Sequence, residues 1–332
     1  SAISPNGVQL QAEFLDAAVY VKGDRQDSAN IFDMQLHLEY DQPVPDAFGA
    51  VQSVSANHMA SDVTYLEGAD FDAPVVIAMP PTFAGTQAAS VAISNVTSTG
   101  ATVRIKEPDY LDAFHAMEDV SLLTMESGNW TLADGTDIEV GTVAVPGGET
   151  DVFSTVTFAE TFEETPVVLA QLQTENGADW TIVRTDNITT AGFDFALQEQ
   201  EANAPSHPVA EILGYIAVDA EDASGLIDFA NLDAQAFTAG GVTDNGGSFT
   251  FDEAVGTDPL ISAGISSFNG ADTATLRLTD LTDNGTTATA DFLVQEDQSL
   301  DFEVGHVPED VSGLAFESAG LLVAPPMDMG LV

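Results

Sequence analysis

Cysteine is absent from the 332-residue chain, and only six lysines and arginines stand against 54 aspartates and glutamates, a formal net charge of −48. Without cysteine there are no disulfides, thiolate metal sites or cysteine nucleophiles, and the redox compartment stays open. The six basic residues, Lys22, Arg25, Arg104, Lys106, Arg184 and Arg277, are too scattered to form the patch that phosphate contacts require. Nucleic-acid binding is therefore excluded, and attraction to an anionic lipid surface fails for the same reason. No apolar run approaches the roughly 18 residues of a membrane-spanning helix. The start, Ser1-Ala2-Ile3-Ser4-Pro5, lacks the basic and apolar stretches of a signal peptide. A serine start is compatible with loss of an initiator methionine or with cleavage of a leader, so export is left open. Also missing are a G-x-S-x-G elbow, a P-loop, a G-x-G-x-x-G turn and an H-E-x-x-H pair, and no carboxylate pair stands out for glycoside hydrolysis. The sequence is read as that of a non-enzyme without cofactor.

Hydrophobic content is nevertheless 44% with 19 phenylalanines, so the chain has the material for packed cores. An acidic excess of this size keeps a protein dispersed in concentrated salt and repels itself in dilute buffer, which points to seawater, brine or a cation-rich surface.

A threefold internal repeat organises the rest. Val63-Thr64-Tyr65, Val156-Thr157-Phe158 and Phe249-Thr250-Phe251 each precede a proline by eight or nine residues. The prolines, Pro74, Pro166 and Pro259, are separated by 166 − 74 = 92 and 259 − 166 = 93 residues. Apolar runs follow at Val75-Val76-Ile77, Val167-Val168-Leu169 and Leu260-Ile261-Ser262. A second strand then ends at Asn95, Asn187 and Asp280, ahead of Gly100, Gly192 and Gly285. Strand, Asn or Asp, glycine, strand is hairpin grammar. The alternation of Phe193 and Phe195 about Asp194 is that of a sheet with one buried face. Each copy closes on a histidine and an acid: His115 with Glu118, His207 with Glu211, His306 with Glu309.

These features predict an all-β protein of three tandem antiparallel β-sandwiches behind a small N-terminal β segment for assembly or attachment. The expected divisions are 1–57, 58–144, 145–238 and 239–332. The segment from Trp130 to Val140 alternates on both sides of Asp134-Gly135 and reads as a hairpin joining copies. Within 1–57, Val19–Val21 and Phe32–Tyr40 alternate as strands, and no stretch has convincing helical periodicity.

The run Phe162–Leu169, followed by Trp180–Phe193, resembles the H-type lectin domain of snail agglutinins and discoidins, and its tandem versions in large secreted proteins of marine bacteria. The resemblance covers roughly residues 58 to 325. It implies a six-stranded antiparallel β-sandwich, threefold assembly as a trimer or an intrachain pseudo-trimer, and an N-acetylgalactosamine-type sugar at inter-subunit grooves. The family's arginine, eight residues before the turn glycine, falls on Arg184 and Arg277, but on Ala92 in the first copy. Its sugar-contacting aromatic falls on Gln200 and Pro108, and the third copy carries a short insertion before Gln295-Glu296.

Each candidate has two readings. The histidine–acid clusters can be acid–base or metal pairs, or structural hydrogen bonds fixing the last strand or joining repeats; three copies favour the structural role, and zinc lacks further ligands nearby. Arg184 and Arg277 fit either an internal ion pair or a ligand. Trp180, like Trp130, fits either packing or stacking on a sugar. Acidic turns such as Asp219–Asp222 match no calcium loop and suggest only weak condensation of calcium or other cations. The expected role is recognition or adhesion outside the cell, on a cell surface or on a virus particle, through a surface glycan or another structural protein. The rival is a purely structural component of a surface layer, an appendage or a virus particle such as a spike, fibre or turret.

Overall fold

A computed structural model describes the chain at residues 2–3, 9–10, 17–25 and 32–40 as strands, and at 47–203, 205–220 and 224–323 in full. The chain divides into two units, 1–46 and 47–332. In the first, Ala17–Arg25 pairs antiparallel with Phe32–Tyr40, and Ala2–Ile3 with Gln9–Leu10. The rest of the expected segment for assembly or attachment up to residue 46 lies outside the described residues, and 47–57 belong to the second unit.

The second unit is all-β. Its described helical content is one 3₁₀ turn, Glu253–Val255, opened by the Asp252 side chain, which accepts from the Ala254 N–H. Three repeats each contribute one four-stranded and one three-stranded antiparallel sheet. In the second repeat the four-stranded sheet runs Gly128–Thr131, Asp137–Val145, Glu211–Asp219, Val167–Leu172, and the other runs Ser154–Thr157, Gly192–Glu199, Thr181–Thr189. The third repeats this order with Leu226–Phe229, Leu232–Val242, Glu309–Phe316 and Leu260–Ile265 beside Gly247–Thr250, Ala288–Glu296 and Ala274–Asp283. The two main sheets therefore hold seven strands per repeat, against the six that the resemblance implies, and the second repeat adds a short pair, Gly148–Glu149 with Ser206–His207.

In the first repeat the outer strand comes from the far end of the chain. Gly320–Leu322 pairs with Gly49–Val51, beside Glu118–Glu126 and Pro74–Ala78. The chain thus closes on itself. Sheet membership also moves the expected divisions by about one strand. Gly49–Ala56, Asp137–Val145 and Leu232–Val242, which divisions at 57, 144 and 238 assign wholly or mostly to the preceding segment, pair within the first, second and third repeats respectively. The Trp130–Val140 hairpin is accordingly the start of the second repeat rather than a joint.

Pattern explains which faces are buried. In the three-stranded sheets alternate residues point inward: Phe193 and Phe195 are buried about a half-exposed Asp194. In the four-stranded sheets the strand that follows each proline and the repeat's last long strand are buried on both faces, so their runs are continuous rather than alternating. Val76 and Ala78 enter the core between the two sheets of their own repeat, whereas Val75 and Ile77 enter a second core. Leu169, Ile216 and Val218 of the second repeat and Leu314 and Phe316 of the third meet them there, with Leu322 of the closing strand. Each repeat has its own core, and all three share a fourth.

Candidate functional site

Where repeats meet, the copied residues converge. Each histidine lies between two carboxylates, one at the end of a strand of the three-stranded sheet and one opening the repeat's last long strand. His115 bonds Glu107 at 2.7 Å through Nδ1 and Glu118 at 3.0 Å through Nε2. His207 bonds Glu199 at 2.7 Å and Glu211 at 3.3 Å; His306 bonds Glu296 at 2.7 Å and Glu309 at 3.0 Å. All three rings are buried, and both nitrogens are engaged, leaving no lone pair for a metal. Among the described residues no group of three or more side chains could hold a metal ion, and no helix is long and apolar enough to cross a membrane.

The second carboxylate sits in a copied cradle. Glu118 accepts from the Thr82 hydroxyl and from the N–H groups of Ala84 and Gly85 at 2.6–2.8 Å. Glu211 accepts from Thr174, Asn176 and Gly177, and Glu309 from Ser267, Asn269 and Gly270. The cradle glycine is required because the imidazole lies on it. A Cβ would fall 2.7 Å from His115 at Gly85, 2.5 Å from His207 at Gly177 and 2.8 Å from His306 at Gly270. These glycines and the first carboxylates escaped the sequence reading, although 85, 177 and 270 repeat the proline spacing of 92 and 93.

Arg184 and Arg277 are buried and carry the cradles across the junctions. Arg184 of the second repeat donates to Glu309 at 2.8 Å and to the Ser267 carbonyl at 3.1 Å, and its guanidinium lies over the Phe268 ring. Arg277 of the third donates to Glu118 of the first at 2.8 Å and to the Thr82, Gly85 and Gln87 carbonyls, over Phe83. A glutamine on the paired strand completes each set, Gln198 or Gln295. The structure thus places both arginines in internal ion pairs, one of the two readings left open by the sequence.

Electrostatics follow from this packing. Burial raises Glu118 and Glu309, but bonds from the histidine, the hydroxyl and the backbone amides outweigh it and hold both down at about 2. Burial pulls Arg277 to about 10 despite Glu118, and lowers Arg184. Burial opposes protonation of His306, yet its bonds to Glu309 and Glu296 raise it overall.

The first-to-second junction differs. Its carboxylate Glu211 and its cradle are intact, but the arginine position is Ala92. Strand register fixes the equivalence: Ala92 pairs with Arg104 as Arg184 pairs with Ala196 and Arg277 with Leu293. Glu175 replaces Phe268 and Phe83, and Lys106 replaces Gln198 and Gln295. Arg104 and Lys106 both bind Glu175, the latter at 2.9 Å. Trp180 is fully buried here, its indole N–H on Ser90 at 2.9 Å, so neither face of the ring is open to a sugar. Trp130 packs on Phe48, with ring centroids 5.1 Å apart.

Beside this junction lies a groove of about 640 Å³ lined by Ser94, Asn95, Ser98, Thr142, Asn176 and Ile212 among others. Gln173 lines it. Gln173 exchanges both amide bonds with Val76, and Gln171 does so with Ala78, which covers the free edge of Pro74–Ala78.

No family model and no solved structure matches the chain. The chain is similar to Halomucin of Haloquadratum walsbyi (strain DSM 16790 / HBSQ001), 30% identical over 262 residues, which is 75% of this chain. It spans 3% of that protein's length.

Proposed function

We propose that the chain is a non-catalytic recognition and adhesion module of a halophilic surface or secreted protein, and that it holds a glycan in the groove between the first and second repeats. The observation that carries this reading is the groove's lining. Hydroxyls and amides of Ser94, Asn95, Ser98, Thr142 and Asn176, with the carboxylates of Asp72 and Glu175 and the exposed apolar Ile212, supply the hydrogen bonds and apolar contact a sugar needs. The likeness to Halomucin and the charge of −48 support the surface setting. The four described basic side chains, Arg104, Lys106, Arg184 and Arg277, are all used at junctions, which leaves an outer surface dominated by carboxylates. The family-matched Arg184 and Arg277, being internal, serve here to lock an intrachain pseudo-trimer.

A glycan array probed in concentrated salt tests the sugar site, with Ser98→Trp as the variant that fills the groove. Binding by the wild type, lost in a Ser98→Trp protein that melts at the same temperature, is the expected result. Silence of a well-folded wild type overturns it and leaves the structural role, in a surface layer, an appendage or a virus particle, which the burial of Arg184, Arg277 and Trp180 already favours.

A further inference from the structure

The junction between the first and second repeats keeps the carboxylate and the cradle on which a guanidinium sits elsewhere, and lacks the arginine. Glu211 is 3% exposed and retains the hydroxyl of Thr174, two backbone amides and His207, the same partner set that surrounds Glu118 and Glu309. At those two sites the fifth partner is an arginine from the adjoining repeat, Arg277 of the third for Glu118 and Arg184 of the second for Glu309. Here the position is Ala92, itself only partly buried, and a cavity of about 100 Å³ runs past Ala92, Lys106, Thr174, Glu175, His207 and Glu211. A space of that size exceeds what a single water needs. Lys106 fills only part of the role: its ammonium donates to Glu175 and to the Asp179 carbonyl, the counterpart of the Gln87 carbonyl that Arg277 uses, which leaves Glu211 without a cationic partner from the first repeat. Glu175, in place of the stacking phenylalanine, holds both Lys106 and Arg104 and keeps them on its own carboxylate.

We propose that this cavity is a receptor site for a guanidinium-type cation, seated on Glu211 as Arg184 is seated on Glu309 and Arg277 on Glu118. The planar fork of donors matches a carboxylate oxygen with an adjacent carbonyl, the acceptor pair that both resident arginines use. A bare inorganic cation lacks that directionality. The cation has two sources, free guanidinium or the arginine side chain of another polypeptide, and the chemistry recognised is the same.

Thermal unfolding of the full chain in about 2 M NaCl, where surface charge is screened, tests this with added guanidinium chloride, an acetylated and amidated Gly-Arg-Gly peptide, or tetramethylammonium chloride. With a dissociation constant of about 1 mM, 10 mM guanidinium raises the wild-type melting temperature by about 2 °C in a saturable way. Ala92→Leu fills the cavity without charge, and Ala92→Arg supplies the group in cis; the response disappears in both. Stabilisation by the peptide as well as by the free ion assigns an arginine side chain as ligand, whereas stabilisation by the ion alone restricts the site to small guanidines. A wild type that responds to guanidinium no differently from Ala92→Leu, or equally to tetramethylammonium, overturns the proposal.

Discussion

Arg277 and Glu118, 159 residues apart, form a 2.8 Å ion pair in which both side chains are fully buried. The pair joins the third repeat to the first, the same two repeats that the strand Gly320–Leu322 ties together. Arg184 and Glu309 make the corresponding contact one junction earlier. Buried charges cost desolvation, and such pairs persist where the remaining donors and acceptors are met. Arg277 meets that condition with four further acceptors, Gln295 and the carbonyls of Thr82, Gly85 and Gln87.

Removing one partner should therefore be worse than removing both. Arg277→Met leaves Glu118 buried without its countercharge and is expected to cost about 3–5 kcal/mol. Adding Glu118→Gln should return part of that loss. Urea unfolding of the single and double variants checks this. A double variant less stable than Arg277→Met would refute the uncompensated carboxylate as the cause.

Acid should attack the same contacts. Glu118 and Glu309 titrate near 2 in the fold against an ordinary value of 4.5. Their folded values are depressed, so the stability they contribute is present above about 4.5 and lost as the pH falls from there through about 2. Unfolding free energy measured between pH 6 and 2 should decline over that window. It should decline less in the double variant Arg277→Met/Glu118→Gln, in which one of the two carboxylates is absent.

Glu201 runs in the opposite sense. Burial, with Asp272, Asp297 and Asp301 nearby, pushes its carboxyl up to about 7 against the bond it accepts from the Thr273 N–H. A raised value favours the protonated carboxyl in the fold. This contribution is complete below about 4.5 and lost as the pH rises through about 7. His306, also raised, adds a loss in the same direction as the pH rises. Glu201→Gln should be more stable than the wild type at pH 8 and should flatten the stability profile between pH 5 and 8. A profile unchanged by the substitution would show that the carboxyl ionises without hindrance.

Much of this architecture was legible from a single spacing. Pro74, Pro166 and Pro259 each enter the strand that borders the repeat's last long strand, and the paired His–Glu positions mark where repeats touch. Asn95 and Asn187 adopt the same left-handed backbone, with φ of 50° in both, as expected of residues ahead of a turn. Strand division was harder to read, because Gly128–Thr131 and Asp137–Val145 form a local hairpin whether they begin one repeat or end another. The sharing of a fourth core was hidden in plain composition. A run such as Val75-Val76-Ile77 signals burial on both faces, but not which neighbour supplies the second face. Exchange of Arg, Phe and Gln for Ala, Glu and Lys at one junction becomes visible only when strand register aligns Ala92 with Arg184 and Lys106 with Gln198.

The closing strand gives the last prediction. Leu322 is fully buried in the shared core, and its carbonyl accepts from the Phe48 N–H at 3.0 Å, so it fastens the end of the described chain to the first repeat. Shortening Leu322 to alanine removes buried methyl groups from a core to which all three repeats contribute, and a loss of about 2–5 kcal/mol is expected. Because that core is shared, the loss should appear as one shifted transition rather than as separate melting of the first repeat. Differential scanning calorimetry of Leu322→Ala distinguishes the two. An early, small transition with the main peak unmoved would mean that the first repeat unfolds by itself and that the common core does not couple the three.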